Sequence, residues 1–148
     1  MSPVSGSISD RTPHGALTPE TYLGTDRLSS LVGSPVVEGH EATYTIPQVV
    51  PPNAVAYGGR WLVGRERIVA GEGARLRLSY HARNVYLVLG KGESEGVVHV
   101  AVDGKSVKTV TVTGDRLYTL VARAGPAADH TLDLSFSRGT EAYAFTFG

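Results

Sequence analysis

The 148-residue sequence contains no cysteine, which excludes disulfides, thiolate metal sites and Cys-X-X-Cys redox chemistry from this stretch of chain. It also lacks an excess of charge: 14 Lys and Arg stand against 14 Asp and Glu. Without a long-range field to gather polyanions, neither nucleic acid nor a membrane surface is expected as a partner. No apolar run approaches the ~20 residues that a membrane span needs. The opening MSPVSGSISDRTPHGAL lacks the apolar centre of a signal peptide. Aromatic residues are few, and a single tryptophan is present.

What is there suits one domain, since a chain of 148 residues can remove roughly 68–70% of its unfolded surface from water. Residues 1–16, rich in Ser, Pro and Gly, cannot bury enough apolar area to offset the entropy of ordering and read as a flexible tail or linker. Thr25–Gly33 places Leu28, Leu31 and Val32 three and four apart, with Thr25 as a cap and Gly33 and Pro35 as stops, which predicts one short N-terminal helix.

Beyond Pro35 the period becomes two. Leu76, Leu78 and Tyr80 alternate with polar residues, as do Val98, Val100 and Val102, then Leu132, Leu134 and Phe136, then Tyr143, Phe145 and Phe147. These read as strands with one buried face. Asp103-Gly104, Gly114-Asp115 and Arg138-Gly139 supply turns between them. Eight or nine short strands with no intervening helices predict an all-β, antiparallel jelly-roll sandwich over residues 17–148.

Catalytic patterns fail on spacing. Gly90–Gly96 resembles a phosphate loop but runs into the apparent strand VVHVAV, so no helix N-terminus would face an anion, and it reads as a hairpin loop. There is no G-x-S-x-G elbow, and the five histidines (His14, His40, His81, His99, His130) show neither H-x-H nor H-E-x-x-H spacing. His81 stands apart because the run Tyr80-His81-Ala82-Arg83 can form a polar cluster at a strand edge. Glu93 and Glu95 fall in a loop and Asp103 in a turn, which does not suit a glycosidase carboxylate pair. Asp103, Asp115 and Asp129 lie in separate turns, so no calcium site is expected. No cofactor, metal or catalytic residue is assigned.

The segment Gly58-Gly59-Arg60-Trp61-Leu62-Val63-Gly64-Arg65-Glu66-Arg67 raises the main question. If residues 60–63 form a strand, Trp61 and Val63 share one face and the ring enters the core. Alternatively, the flanking glycines open the ring to a ligand and Arg65 or Arg67 supplies forked hydrogen bonds, the combination that sugars require. On that second reading the carbohydrate site comprises Trp61, Arg65, Arg67, Tyr57 and Tyr118.

Leu17–Gly24 with Arg27, Gly59-Arg60-Trp61 with Val63-Gly64, His81–Gly90, Arg116-Leu117-Tyr118 with Leu120, and Ala142–Gly148 together resemble the C-terminal region of the DipZ-type thioredoxin family. The similarity runs over residues 17–148, and TPETYLG and AYAFTFG are its most specific parts. In that family a membrane-embedded electron-transfer segment precedes an extracytoplasmic thioredoxin-like domain, and the chain ends in a domain similar to a carbohydrate-binding module.

The resemblance therefore implies a noncatalytic accessory domain outside the cytoplasm, with the adjacent thioredoxin-like domain and a carbohydrate as partners. It transfers no reductase activity to any residue here, because the Cys-X-X-Cys is missing. Two alternatives stand beside it: a purely structural docking domain for the thioredoxin-like neighbour, and a small glycan hydrolase built on the same sandwich.

Overall fold

A computed structural model describes residues 16–148. Apart from Ala16, the expected tail lies outside the described residues, as does His14. Eleven strands are present among the described residues: β1 (Thr21–Tyr22), β2 (Ala42–Tyr44), β3 (Val55–Val63), β4 (Ile68–Ala70), β5 (Arg75–Ala82), β6 (Val85–Gly90), β7 (Gly96–Val102), β8 (Lys105–Val112), β9 (Arg116–Val121), β10 (Ala128–Phe136) and β11 (Glu141–Phe147). All their ladders are antiparallel. The sequence pattern predicts eight or nine strands. The additional ones are found among β1, β2 and β4, whose two or three residues are too few to carry a period.

The ladder runs β8-β7-β10-β5-β3-β4-β11-β6-β9, with β2 added to β3 and β1 to β11. It doubles back at β3. Residues 55–58 of β3 pair with β5, whereas residues 59–63 pair with β2 and β4, so one strand serves both layers of a nearly closed sandwich. Such a corner needs a sharp bend, and Gly58-Gly59 supplies it. Gly59 has φ of 74°, and a Cβ there would run into the Gly73 carbonyl.

The expected alternation is observed in three strands. Leu76, Leu78 and Tyr80 of β5, Val98, Val100 and Val102 of β7, and Leu132, Leu134 and Phe136 of β10 all point into the core. In β11 it is broken by a bulge between Ala142 and Ala144. A bulge inserts one residue and shifts the facing of those around it, so Ala142 and Phe145 are buried while Tyr143 and Phe147 are only partly so. Phe147 stacks on Phe145 and on Tyr80 of the opposite layer, with centroids 6.2 and 5.9 Å apart.

Two further expectations are corrected. Residues 25–33 form no helix. The segment is an irregular strap, turning at Thr25 and Asp26, in which Val32 N–H donates to Val55 O and Val55 N–H to Ser30 O, both at 2.9 Å. A helix of so few residues is marginal in water, and the free edge of β3 offers these amides partners instead. Gly90–Gly96 is not a hairpin loop, because β6 and β7 belong to opposite layers and share no ladder. Asp103-Gly104 does close the β7–β8 hairpin, with φ of 51° and 83°, the two positive values that a type I′ turn requires.

Two buried tyrosines give the fold a defined alkaline limit. Desolvation pushes the Tyr57 phenol well above its ordinary value and raises Tyr80 to about 12. A phenol whose pKa is higher folded than unfolded contributes stability that is complete below the unfolded value of 10.0 and is lost as pH rises through the folded value. The stabilising contribution of these two phenols is therefore expected to be complete up to about pH 10 and to fall progressively as the pH rises to about 12 and beyond. Phenolate absorbance followed alongside circular dichroism should show these two rings ionising only as the fold is lost.

Candidate functional site

The β3–β4 hairpin turns through Gly64–Arg67, where Gly64 N–H donates to Arg67 O at 2.9 Å. Against this turn lies the chain following β1. Thr25 and Asp26 donate their amides to Gly64 O and Arg65 O at 3.0 and 2.9 Å. Gly24 sits so close that a Cβ there would collide with the Arg65 and Glu66 backbone. On the other flank β1 pairs with β11 through Thr21↔Phe145 and Tyr22↔Ala144, and Leu23 N–H donates to Tyr143 O at 3.0 Å. Three segments distant in sequence are thus bound together by backbone hydrogen bonds.

Where they meet, two adjoining hollows share Asp26, Arg65 and Glu66. One, of about 370 Å³, is flanked by Tyr22, Arg27 and Tyr143. The other, of about 500 Å³, is flanked by Leu62, Arg67 and Val69.

The polar groups of this groove hold one another. Arg65 Nε meets Asp26 Oδ1 at 3.0 Å, and this hydrogen bond raises the arginine's pKa further. The Arg27 guanidinium lies 4.7 Å from the Tyr22 ring centroid, a cation–π distance. Tyr22 Oη donates to Glu20 at 2.6 Å, which raises the phenol's pKa. Tyr143 Oη donates to Glu141 at 3.1 Å, and its pKa is raised by partial burial and then by this bond. Arg67 Nε meets the same carboxylate at 3.5 Å.

Arg65 and Arg67 are each paired with a carboxylate and Arg27 lies on the Tyr22 ring, so two of the three arginines are already neutralised and the groove is not built as an anion trap. It offers forked donors, fixed acceptors and tyrosine faces, and these suit a polyhydroxylated or amphipathic ligand.

Of the residues expected at a site, Arg65 and Arg67 reach this groove. Trp61 and Tyr57 do not. Trp61 is fully buried, its Nε1–H donating to Gly58 O at 3.0 Å and Arg75 O at 3.2 Å and its ring edge-on to Phe136 at 5.0 Å. A ring at zero exposure has no face for a sugar, so the core reading is the one the structure carries. Tyr57 is likewise buried, but its hydroxyl donates to Leu23 O at 2.6 Å and so props the strap from beneath the groove.

Tyr118 stands apart on β9 and holds the β8–β9 turn. Its oxygen accepts from Thr113 and Gly114 N–H at 3.0 and 3.2 Å and donates to Gly114 O at 2.7 Å. Desolvation pushes its pKa up, but those two amides and Arg116 outweigh it and the net shift is downward.

Sequence reasoning did not select Tyr22, Asp26, Arg27 or Tyr143. No periodicity marks Tyr22, Asp26 or Arg27, and the period-two pattern assigns Tyr143 to the core, from which the bulge in β11 displaces it. The available signal was their location: three lie in or beside TPETYLG and the fourth in AYAFTFG, the two stretches most specific to the resemblance.

The polar cluster expected at His81 exists: its Nδ1 lies 2.7 Å from Asp129 Oδ1, and nearby His130 Nδ1 is 2.6 Å from Asp103 Oδ2. Among the described residues neither imidazole is hydrogen-bonded to a serine, and no group of three or more metal-ligating side chains gathers. No helix among them is long and apolar enough to cross a membrane.

Among the described residues the chain is a two-layer antiparallel β-sandwich that carries an open polar groove on its surface. The chain belongs to the family described as the Thioredoxin like C-terminal domain, which matches residues 18–148. It is 32% identical over 147 residues to Protein DipZ of Mycobacterium bovis, covering 99% of this chain and 21% of that protein. It thus spans about a fifth of the curated relative's length.

Among solved structures, an active site mutant of a family two carbohydrate esterase from Clostridium thermocellum superposes with a TM-score of 0.56, at 21% identity over 64% of this chain and 31% of that one. A family two carbohydrate esterase from Cellvibrio japonicus gives 0.51, at 11% identity over 72% of this chain and 32% of that one. At these identities the likeness is one of fold.

Proposed function

We propose that this domain is a noncatalytic accessory module of an extracytoplasmic thioredoxin-like protein of the DipZ type, and that its recognition surface is the groove around Arg65. The observation that carries the reading is convergence. The two stretches most specific to the resemblance are joined by the β1–β11 ladder, and they close around the β3–β4 turn to place Tyr22, Arg27, Arg65 and Tyr143 on one open surface.

The ligand class that fits is a neutral saccharide, whose C–H faces lie on tyrosine rings while its hydroxyls take directed donors and acceptors. Trp61 plays no direct part. Arg65 and Arg67 supply forked donors, and Tyr57 positions the strap from below.

The test is isothermal calorimetry with a panel of neutral envelope oligosaccharides. Arg65→Ala removes a charged hydrogen-bond donor and is expected to weaken binding about tenfold or more, with thermal stability little changed because this arginine is exposed. Equal affinity of the wild type and Arg65→Ala would overturn the placement of the site.

A second reading rests on Leu62, an exposed large apolar side chain lying beside Val69 in the larger hollow. On that reading the same surface seats the thioredoxin-like neighbour without sugar. Saturable binding of that domain, together with none of any saccharide, selects it.

A further inference from the structure

β8 and β9 follow one another in sequence and are joined by only three residues, yet they share no ladder and form the two ends of the strand order. Tyr118 clamps the turn between them, and beyond it the strands diverge. The resulting wedge, of about 340 Å³, is lined by Val107, Lys108, Leu120, Val121, Ala122 and Arg123.

Three features make this opening more than an ordinary sheet edge. First, both its walls are strand edges without a ladder partner on that side, so backbone donors and acceptors face it from two directions. Second, the span is crossed by a side chain in place of backbone pairing: Lys108 Nζ donates to Thr119 O at 3.0 Å. Third, the ionisable groups lining it are Lys108 and Arg123, with no carboxylate among them, although the chain as a whole is neutral. Val107 lies at the register shift between β7 and β8 and is 45% exposed. A bulge and a lysine are devices that keep an edge from pairing with any flat, uncharged strand. Here they leave an apolar lining that a strand of opposite charge would satisfy.

We propose that the β8–β9 wedge receives an extended, acidic polypeptide segment of a partner protein by strand addition. Its backbone adds to the open edges, its apolar side chains contact Val107 and Ala122, and its alternate carboxylates face Lys108 and Arg123. The wedge is separate from the Arg65 groove, since β6 and β11 lie between β9 and β4, so either assignment can fail without the other.

The test uses the whole chain and a capped, fluorescein-labelled peptide of alternating valine and glutamate. The expected result is a saturable rise in anisotropy with new amide-exchange protection confined to β8 and β9. Lys108→Glu combined with Arg123→Glu should weaken it about tenfold or more, and circular dichroism checks that this variant folds. A proline at the centre of the peptide, which removes a ladder donor, should abolish the binding. The proposal is overturned by absence of saturation, by equal binding of an alternating valine–lysine peptide, by protection elsewhere, or by β8 pairing with a second copy of the chain in sedimentation experiments.

Discussion

Trp61→Ala is expected to destabilise the domain by about 3–5 kcal/mol, the range for deleting a large buried aromatic. For a chain of this size that lowers the melting temperature by roughly 10–20 °C. The cause is local. The indole fills the space between β3, β5 and β10, lying edge-on to Phe136, with Tyr57 6.2 Å away, and its N–H is hydrogen-bonded to two backbone carbonyls. Alanine replaces the ring with a cavity at the bend where one strand passes between layers. Urea unfolding followed by circular dichroism measures the change, and a loss below about 1 kcal/mol is inconsistent with a packed ring. The wild-type emission should be blue and unmoved by any ligand of the Arg65 groove, since no part of the indole meets solvent.

Gly59→Ala is the second large effect, expected at about 2–4 kcal/mol. Part is conformational, because an alanine forced into the left-handed region costs roughly 1–2 kcal/mol. The remainder is steric: the new Cβ meets the Gly73 carbonyl, and backbone on both sides has little room to yield. Gly104 is the matched control. Its φ of 83° is comparable, but a Cβ there has nothing within 4 Å, so Gly104→Ala should show only the conformational part, about 1–2 kcal/mol. Denaturant midpoints of the two variants measured side by side isolate the steric cost. Equal losses would mean that the β3 corner relaxes freely.

β5, β7 and β10 are legible because a period of two needs about six residues to declare itself and these three display it without interruption. Where the pattern misled, a competing interaction had set the conformation. Leu28, Leu31 and Val32 have helical spacing, but the backbone around them pairs with the edge of β3, and long-range pairing of that kind leaves no trace in local spacing. The bulge in β11 turned Tyr143 away from the core, and nothing in AYAFTFG announces an inserted residue.

The candidate site was half visible for the same reason. Arg65 and Arg67 stand out as cations beside a lone tryptophan, yet Trp61 enters the core with Val63 whereas both arginines lie beyond the end of β3, in the turn to β4, where strand alternation no longer sets the facing. Tyr22 and Arg27 reach the groove only because β1 adds to β11 from more than a hundred positions away in the chain. That contact belongs to topology, which composition and period do not encode.

On the proposed function, the strap after β1, the β3–β4 turn and β11 form one recognition surface. Backbone amide chemical shifts of the labelled domain, titrated in turn with neutral envelope oligosaccharides and with the thioredoxin-like domain proposed as its neighbour, provide the test. Saturable shifts are expected, centred on Tyr22–Arg27, Gly64–Arg67 and Tyr143–Ala144, with the core amides around Trp61 unmoved. Saturable shifts that leave these three segments untouched, or no shifts with either class of partner, would contradict it.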